Sequence, residues 1–461
     1  MKNIVKLILL SVLVFALAAF TAACKGKDGS EGETETKMTL ELVRVDEGST
    51  IEGLEEDEKS YYTLSGYTFS DEDAAIVTTA ADYPYYYNPD FYDGKKSETD
   101  YQAEKERYEQ LSYLTLPTAV KVSAAESKLT ITAEDLSKAE NGVIDLSAGA
   151  ENAKTVYIRA IKASALLNHT ELKSLTVPDG YLEIGDGALS GCSNLEEIVL
   201  PFIGSKCGAV NGGKNFGYIF GTVDYTGSVV ATQSYNLSGS ATYYVPSKLE
   251  KVTVSSDLPA YAFYGVPTIK EVIYPAMEEI PDFAFRGCTG IKNVSLDSGV
   301  KSIGVSAFES CTSLIGVNFD ELNSLETIKE NAFANCTKLC YSDKLLTVPS
   351  SVTTIGAQAF VNCTSIEKLV VNATGEVRIY AAAFSGLSSL KETELTGAKM
   401  SIGTFAGWSD MLVVTVGAGT VTVSYNETVQ SDSEIVGGLG LAFVGAFEDE
   451  NEGQKANIEF K

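Results

Sequence analysis

Ile280-Pro281-Asp282-Phe283-Ala284-Phe285-Arg286-Gly287-Cys288-Thr289-Gly290-Ile291-Lys292-Asn293-Val294-Ser295-Leu296 is the stretch whose reading decides the fold. Its apolar frame is Ile-x3-Ala-Phe-x2-Cys-x2-Ile-x2-Val-x-Leu. The frame starts again at Ile184, Ile303, Ile328 and Ile355, with a weaker early copy over Ile161, Ala165, Leu166, Leu172, Leu175 and Val177. The Phe (or Leu) falls at 166, 189, 263, 285, 308, 333, 360, 384 and 405; apart from one gap of 74, the steps run from 21 to 27 residues. A fixed period of this size predicts stacked coils, because one coil cannot bury its own apolar face.

Within each coil, a segment such as Leu195-Glu196-Glu197-Ile198-Val199-Leu200 predicts a short strand, often stopped by a proline, as at Pro178, Pro201, Pro275 and Pro349. The Ile-x3-Ala-Phe-x2-Cys half predicts an irregular or short helical return. Five cysteines (Cys192, Cys288, Cys311, Cys336, Cys363) share one slot, which predicts a buried column of small apolar side chains. Seven cysteines follow Cys24, an odd number that argues against a complete disulfide framework. Only the loose Cys336-x3-Cys340 pair has any zinc-like spacing, so no metal site is expected.

These motifs closely resemble the BspA-like leucine-rich repeats of bacterial surface proteins. The resemblance implies an α/β-type leucine-rich-repeat solenoid, β-rich with short irregular or helical convex segments. It also implies adhesion to host matrix proteins or to other cells. Departures from the pattern occur at Leu189, at Cys340 to Lys344, and at Trp408 in the Cys slot of the last coil.

The first residues carry a separate signal. Lys2 and Lys6 precede an apolar run from Leu7 to Phe20, then Thr21-Ala22-Ala23-Cys24. Residues 1–23 have the layout of a secretory signal peptide, and the last four resemble a bacterial lipobox. Cys24 is therefore the expected lipidation site, anchoring an exported chain to the cell envelope, surface-exposed. Residues 24–60 are expected to form an acidic flexible tether. Residues 61–140 form a Tyr-rich mixed region, in which Ser97 caps a helix reaching about Leu114 and strands follow at Val120–Val122 and Leu129–Ile131. The solenoid is expected over 141–415 with an insertion at 202–248, and a C-terminal β cap over 416–461.

Charge and composition restrict function. With 62 acidic and 35 basic residues the net charge is −27, which repels a nucleic-acid backbone. His169, the sole histidine, lies in a coil turn, and no phosphate loop, dinucleotide fingerprint or calcium loop is present. No cofactor and no catalytic residue is expected. Recognition remains: a protein or glycan ligand at the cell surface. Thr176, Val199, Thr253, Ile273, Ser295, Asn318, Thr347, Val370 and Glu394 are the expected ligand-facing lane on the concave sheet. Tyr85, Tyr86, Tyr87, Phe216, Tyr218 and Phe220, in two aromatic stretches, are a second candidate set, suited to stacking on sugars in a glycan-capturing lipoprotein.

Overall fold

A computed structural model describes residues 38–45, 54, 60–82, 94–124, 126–372 and 375–396, with strands at 399–402, 408–409, 413–417, 420–424 and 457–460. The expected signal peptide, Cys24, most of the tether, Tyr85, Tyr86 and Tyr87 lie outside the described residues. So does Phe405. No helix among the described residues is long and apolar enough to cross a membrane. The chain divides into two compact units. One comprises Met1–Ala231, Thr242–Ser256 and Val272–Pro275; the other comprises Thr232–Ala241, Asp257–Glu271 and Ala276–Lys461.

In the first unit, Thr39–Val45, expected as part of the flexible tether, is instead a strand lying antiparallel between Tyr61–Thr68 and Lys128–Thr132, because its alternating Leu40 and Leu42 are buried in the core. Tyr61–Thr68 then pairs in parallel with Lys154–Ile161, which runs antiparallel to Ala119–Val122. Two helices, Asp71–Asp82 and Glu98–Ser112, meet through Ile76, Tyr101 and Tyr108. Asp73 and Arg107 join them by a buried ion pair at 2.5 Å. Ser97 caps the second helix by accepting the Asp100 N–H, which satisfies one of the donors that a helix start leaves open. The helix stops at Ser112 rather than Leu114. Tyr113–Thr115 leaves it to pair in parallel with Ser174–Thr176, burying Leu114 and gaining ladder hydrogen bonds.

This mixed region covers an edge of each ladder of the first coil. Tyr113–Thr115 extends the sheet formed by Ser174–Thr176, Glu197–Leu200 and Lys251–Val254. Lys154–Ile161 pairs with Glu183–Ile184. A solenoid end would otherwise present unpaired backbone groups.

The stretch 202–248, expected as one projecting insertion, contains a coil of the spiral. Leu166 N–H donates to Ala188 O, and in the next layer Leu189 N–H donates to Ile219 O at 2.8 Å. Ile219-Phe220 thus occupies the Ala-Phe slot, and Ile184 N–H donates to Ser205 O. The 74-residue gap is a decorated coil whose ring is Phe220. Two additions interrupt it: a loop around 206–215 and the hairpin of Ser228–Ser234 and Ser240–Pro246. Gly217 is required there, since an added Cβ would lie 2.5 Å from the Tyr243 Cβ.

In the second unit the returns are not helical. Glu279–Ile280, Ser302–Ile303, Thr327–Ile328, Thr354–Ile355, Glu376–Ile379 and Lys399–Ile402 make a parallel ladder of their own. No α-helix follows Ser137 among the described residues. The β-branched Ile, Ser/Thr-flanked in most copies, suits a pleated ladder better than a helix. The opposite side carries Asn293–Val294 with Gly316–Val317, and then Leu345–Val348, Lys368–Asn372 and Glu392–Thr396. At the C-terminal end, Val413–Gly417 pairs antiparallel with Thr420–Ser424, which pairs in parallel with Asn457–Phe460.

Between the ladders runs a spine of rings. Phe263, Phe285, Phe308, Phe333, Phe360 and Phe384 stack face to face, with centroids 5.2 to 5.6 Å apart and planes within 4° to 11°. Each ring is buried, which contributes about 2 kcal/mol per side chain before stacking is counted. The cysteine column does more than fill space. Cys288, Cys311, Cys336 and Cys363 each donate an S–H to the carbonyl of the Phe one coil earlier, at 3.0 to 3.2 Å. In the first unit Cys192 does the same to Leu166 O at 3.1 Å. All five thiols are free and buried.

Candidate binding surfaces

Strand alternation sends one side chain inward and the next outward, and the registers place the lane residues accordingly. In the first unit, Thr115, Thr176, Val199 and Thr253 lie side by side across four strands. Ile273 follows on Glu271–Ile273. Val199, Thr253 and Ile273 are half-buried, whereas Thr176 is buried by its neighbours. In the second unit, Thr347, Val370 and Glu394 are in register. Thr347 is exposed, Val370 is buried, and Glu394 is held by Lys368 at 2.9 Å. Ser295 is exposed.

Asn318 departs from the expectation. Its Oδ1 accepts the Leu296 N–H at 2.8 Å and its Nδ2 donates to Leu296 O at 3.0 Å. The amide replaces a ladder rung where the strand is only two residues long, so it braces adjacent coils and has little left to offer a ligand.

The aromatic candidates separate in the same way. Phe216 and Phe220 are fully buried and pack edge to face at 5.3 Å. They form the interior of the decorated coil and cannot touch a ligand; Tyr218 alone of the three is half-exposed. Tyr113 was missed by sequence reasoning. It is 52 % exposed on the sheet's terminal strand, beside Ser174 in register. The alternation Tyr113-Leu114-Thr115-Leu116 was the available signal, obscured by extending the helix too far. Burial, with Glu196 and other nearby carboxylates, raises the Tyr113 phenol above its ordinary pKa, so it stays a neutral donor at physiological pH.

His169 stands three residues after Leu166, in the slot that holds cysteine elsewhere. Its Nε2 lies 2.9 Å from Tyr67 O and its Nδ1 2.7 Å from the buried Glu171 carboxylate. The Tyr67 ring packs on it at 4.4 Å between centroids. Both ring nitrogens are committed, leaving none to activate a nucleophile. The imidazole reaches the layer beneath just as the thiols do. Among the described residues, no three His, Cys, Asp or Glu side chains cluster as a metal site would require.

Comparison with known proteins bears on this geometry. A family model described as a BspA type leucine rich repeat region matches in six copies, over residues 154–208, 256–391 and 322–415. Among solved structures, a leucine-rich repeat protein from Bacteroides ovatus is 18% identical, with 77% of this chain and 71% of that one covered and a TM-score of 0.37. A leucine rich cell surface protein from Faecalibacterium prausnitzii is 14% identical over 82% of this chain and 75% of that one, with a TM-score of 0.27. The pneumococcal vaccine antigen PcpA is 17% identical over 69% and 73%, with a TM-score of 0.32. No curated protein sequence matches the chain. The repeating frame and the two ladders make the coiled part of the chain a β-solenoid of leucine-rich repeats, and over residues 154–208 and 256–415 those repeats match the BspA type.

Proposed function

We propose that this protein is an exported, lipid-anchored binding protein that uses the outer faces of its parallel sheets to hold a macromolecule, in adhesion to matrix proteins or to other cells. Lipid on Cys24 attaches it to the envelope, the stretch between Cys24 and the strand that starts at Thr39 lifts it away, and the 416–461 segment closes the stack. The observation that carries the reading is the file Thr115-Thr176-Val199-Thr253 with Tyr113 at its edge. It is an uncharged strip on a chain of net charge −27. Interface cores are depleted of charge and enriched in aromatic residues. The PcpA and Faecalibacterium proteins, described as an antigen and a cell surface protein, accord with a surface location. Burial of Phe216 and Phe220 weighs against the aromatic 202–248 stretch as a sugar platform.

Retention of the protein on immobilised extracellular-matrix proteins and on cells tests the reading. Val199→Glu with Thr253→Glu places two unpaired carboxylates in the strip and is expected to weaken retention about tenfold or more. Retention equal to wild type by a folded double variant would refute it. Cys24→Ala is expected to move the protein from the membrane to the soluble fraction.

A further inference from the structure

We infer that a second binding site, specific for a neutral linear glycan, runs along the turns of the second unit, away from the sheet faces; it does not rest on the sheet-face reading. An open groove of about 580 Å³ crosses four successive coils there, lined from Phe283 and Arg286 at one end to Gln358 and Asn362 at the other.

The groove follows the two positions in each coil that adopt a left-handed backbone, and of the residues there all but Gly287 and Ser310 line it. One precedes Ala-Phe: Phe283 at φ 60°, Ser306 at 51°, Asn331 at 55° and Gln358 at 57°. The other precedes Cys: Gly287 at 74°, Ser310 at 62°, Asn335 at 61° and Asn362 at 59°. Gly and Asn take this conformation most readily, whereas a bulky aromatic there is an outlier and marks a candidate functional position. Phe283 is that outlier, and Tyr261, at φ 65° in the preceding coil, is another. The two rings stack at 4.6 Å with planes 13° apart. Tyr261 thereby backs Phe283, whose side chain lines the groove as a rigid aromatic end wall.

Beyond that wall the polar lining is mainly amides and acids, with Val305, Ala334 and Val361 between them. Asn362 Nδ2 donates to Asn335 Oδ1 at 2.9 Å, so the two amides form a ladder across coils. Asn331 and Glu309 complete the polar walls. Side-chain amides both donate to and accept from hydroxyl groups, carboxylates accept from them, and an aromatic face takes the C–H face of a pyranose. The coil rise, read from the Phe stack, is 5.2 to 5.3 Å. One pyranose with its glycosidic oxygen advances a linear chain by a comparable distance, so each coil meets one sugar.

Charge selects among glycans. Arg286 is already engaged by Glu309 at 2.7 Å, and Glu330 adds a further carboxylate. An anionic polysaccharide is repelled. An extended peptide finds no strand edge to join, because the turn N–H groups of Phe283, Gly287 and Asn335 already donate to Val305, Glu309 and Val361 of the next coil.

Isothermal titration of the full chain with cellohexaose, laminarihexaose and mannohexaose, with a heparin hexasaccharide as the charged control, tests the site. At least one neutral hexasaccharide is expected to bind. Phe283→Ser, which installs the residue that the next coil holds, and Asn335→Gly, which keeps the left-handed backbone, are each expected to weaken that binding about tenfold. Val199→Glu should leave it unchanged. No binding of any neutral hexasaccharide, binding of heparin alone, or wild-type affinity in folded Asn335→Gly would overturn the inference. If circular dichroism shows Phe283→Ser to be unfolded, Asn335→Gly decides. Loss of binding in Val199→Glu alone would also overturn it, moving the glycan to the sheet face.

Discussion

Removing one ring from the middle of the phenylalanine spine is the sharpest test of how this stack is held. Phe308 is fully buried and lies 5.2 Å from Phe285 and 5.3 Å from Phe333, with planes within 5° of both. Phe308→Ala deletes the ring from a close-packed interior, and such changes cost about 3–5 kcal/mol in transfer and cavity terms together. Two lost stacking contacts account for about 1–3 kcal/mol of that total. Phe308→Leu separates the parts. Leucine is the natural occupant at Leu166 and Leu189, fills most of the volume and forfeits the stacking, so it should cost about 1–2 kcal/mol. Urea unfolding followed by far-ultraviolet circular dichroism gives both numbers. Each coil leans only on its neighbours, so the alanine variant should also lower the slope with urea as the two sides of the break uncouple. A loss below about 1 kcal/mol for Phe308→Ala, or equal losses for the two variants, would refute the picture of a stacked spine.

Two further outcomes follow from the same packing. Burial pushes the Cys311 thiol up to about 12, and burial with Asp343 does the same to Cys340, so at pH 8 about one in ten thousand of either is thiolate. With Cys24 removed, Ellman's reagent should titrate the exposed Cys207 quickly, the half-buried Cys340 slowly, and the column cysteines only after denaturation; fast reaction of more than two thiols would contradict the buried column. Asp145 is held down to about 2 by the Ser147 hydroxyl first, then the Ser147 N–H and Lys121. Its folded value lies below the unfolded one, near 3.9, so its contribution is fully present above about pH 4 and is lost as pH falls towards 2. The melting-temperature difference between wild type and Asp145→Asn should shrink across that window, and a constant difference would show that Asp145 contributes nothing through its charge.

Much of the architecture was legible because the repeat is a packing rule written in residue types. The positions of Phe285, Phe308, Phe333 and Phe360 predicted a file of aromatic side chains, and the rings stack in one. The cysteine column was legible as burial, although the hydrogen bond from each thiol to the preceding coil was not. That bond depends on where a neighbouring carbonyl points, which spacing along one coil does not reveal. The same limit hid His169, whose slot matches the cysteines but whose partner, Tyr67 O, comes from about a hundred residues earlier.

Local periodicity determined that this chain is a stack of coils, since apolar residues returning at a fixed interval can bury themselves only against their own copies. Neighbours in space decided the rest. Ile219-Phe220 completes a coil that no motif announces, because main-chain hydrogen bonds accept any residue with a free carbonyl in the right place. Asn318 became a brace, and Phe216 and Phe220 became interior, through contacts their sequence positions do not encode. The turn-face groove arises only when left-handed residues from four coils are brought side by side. A period along the chain specifies what must be buried; which surface is then left open depends on the layers above and below.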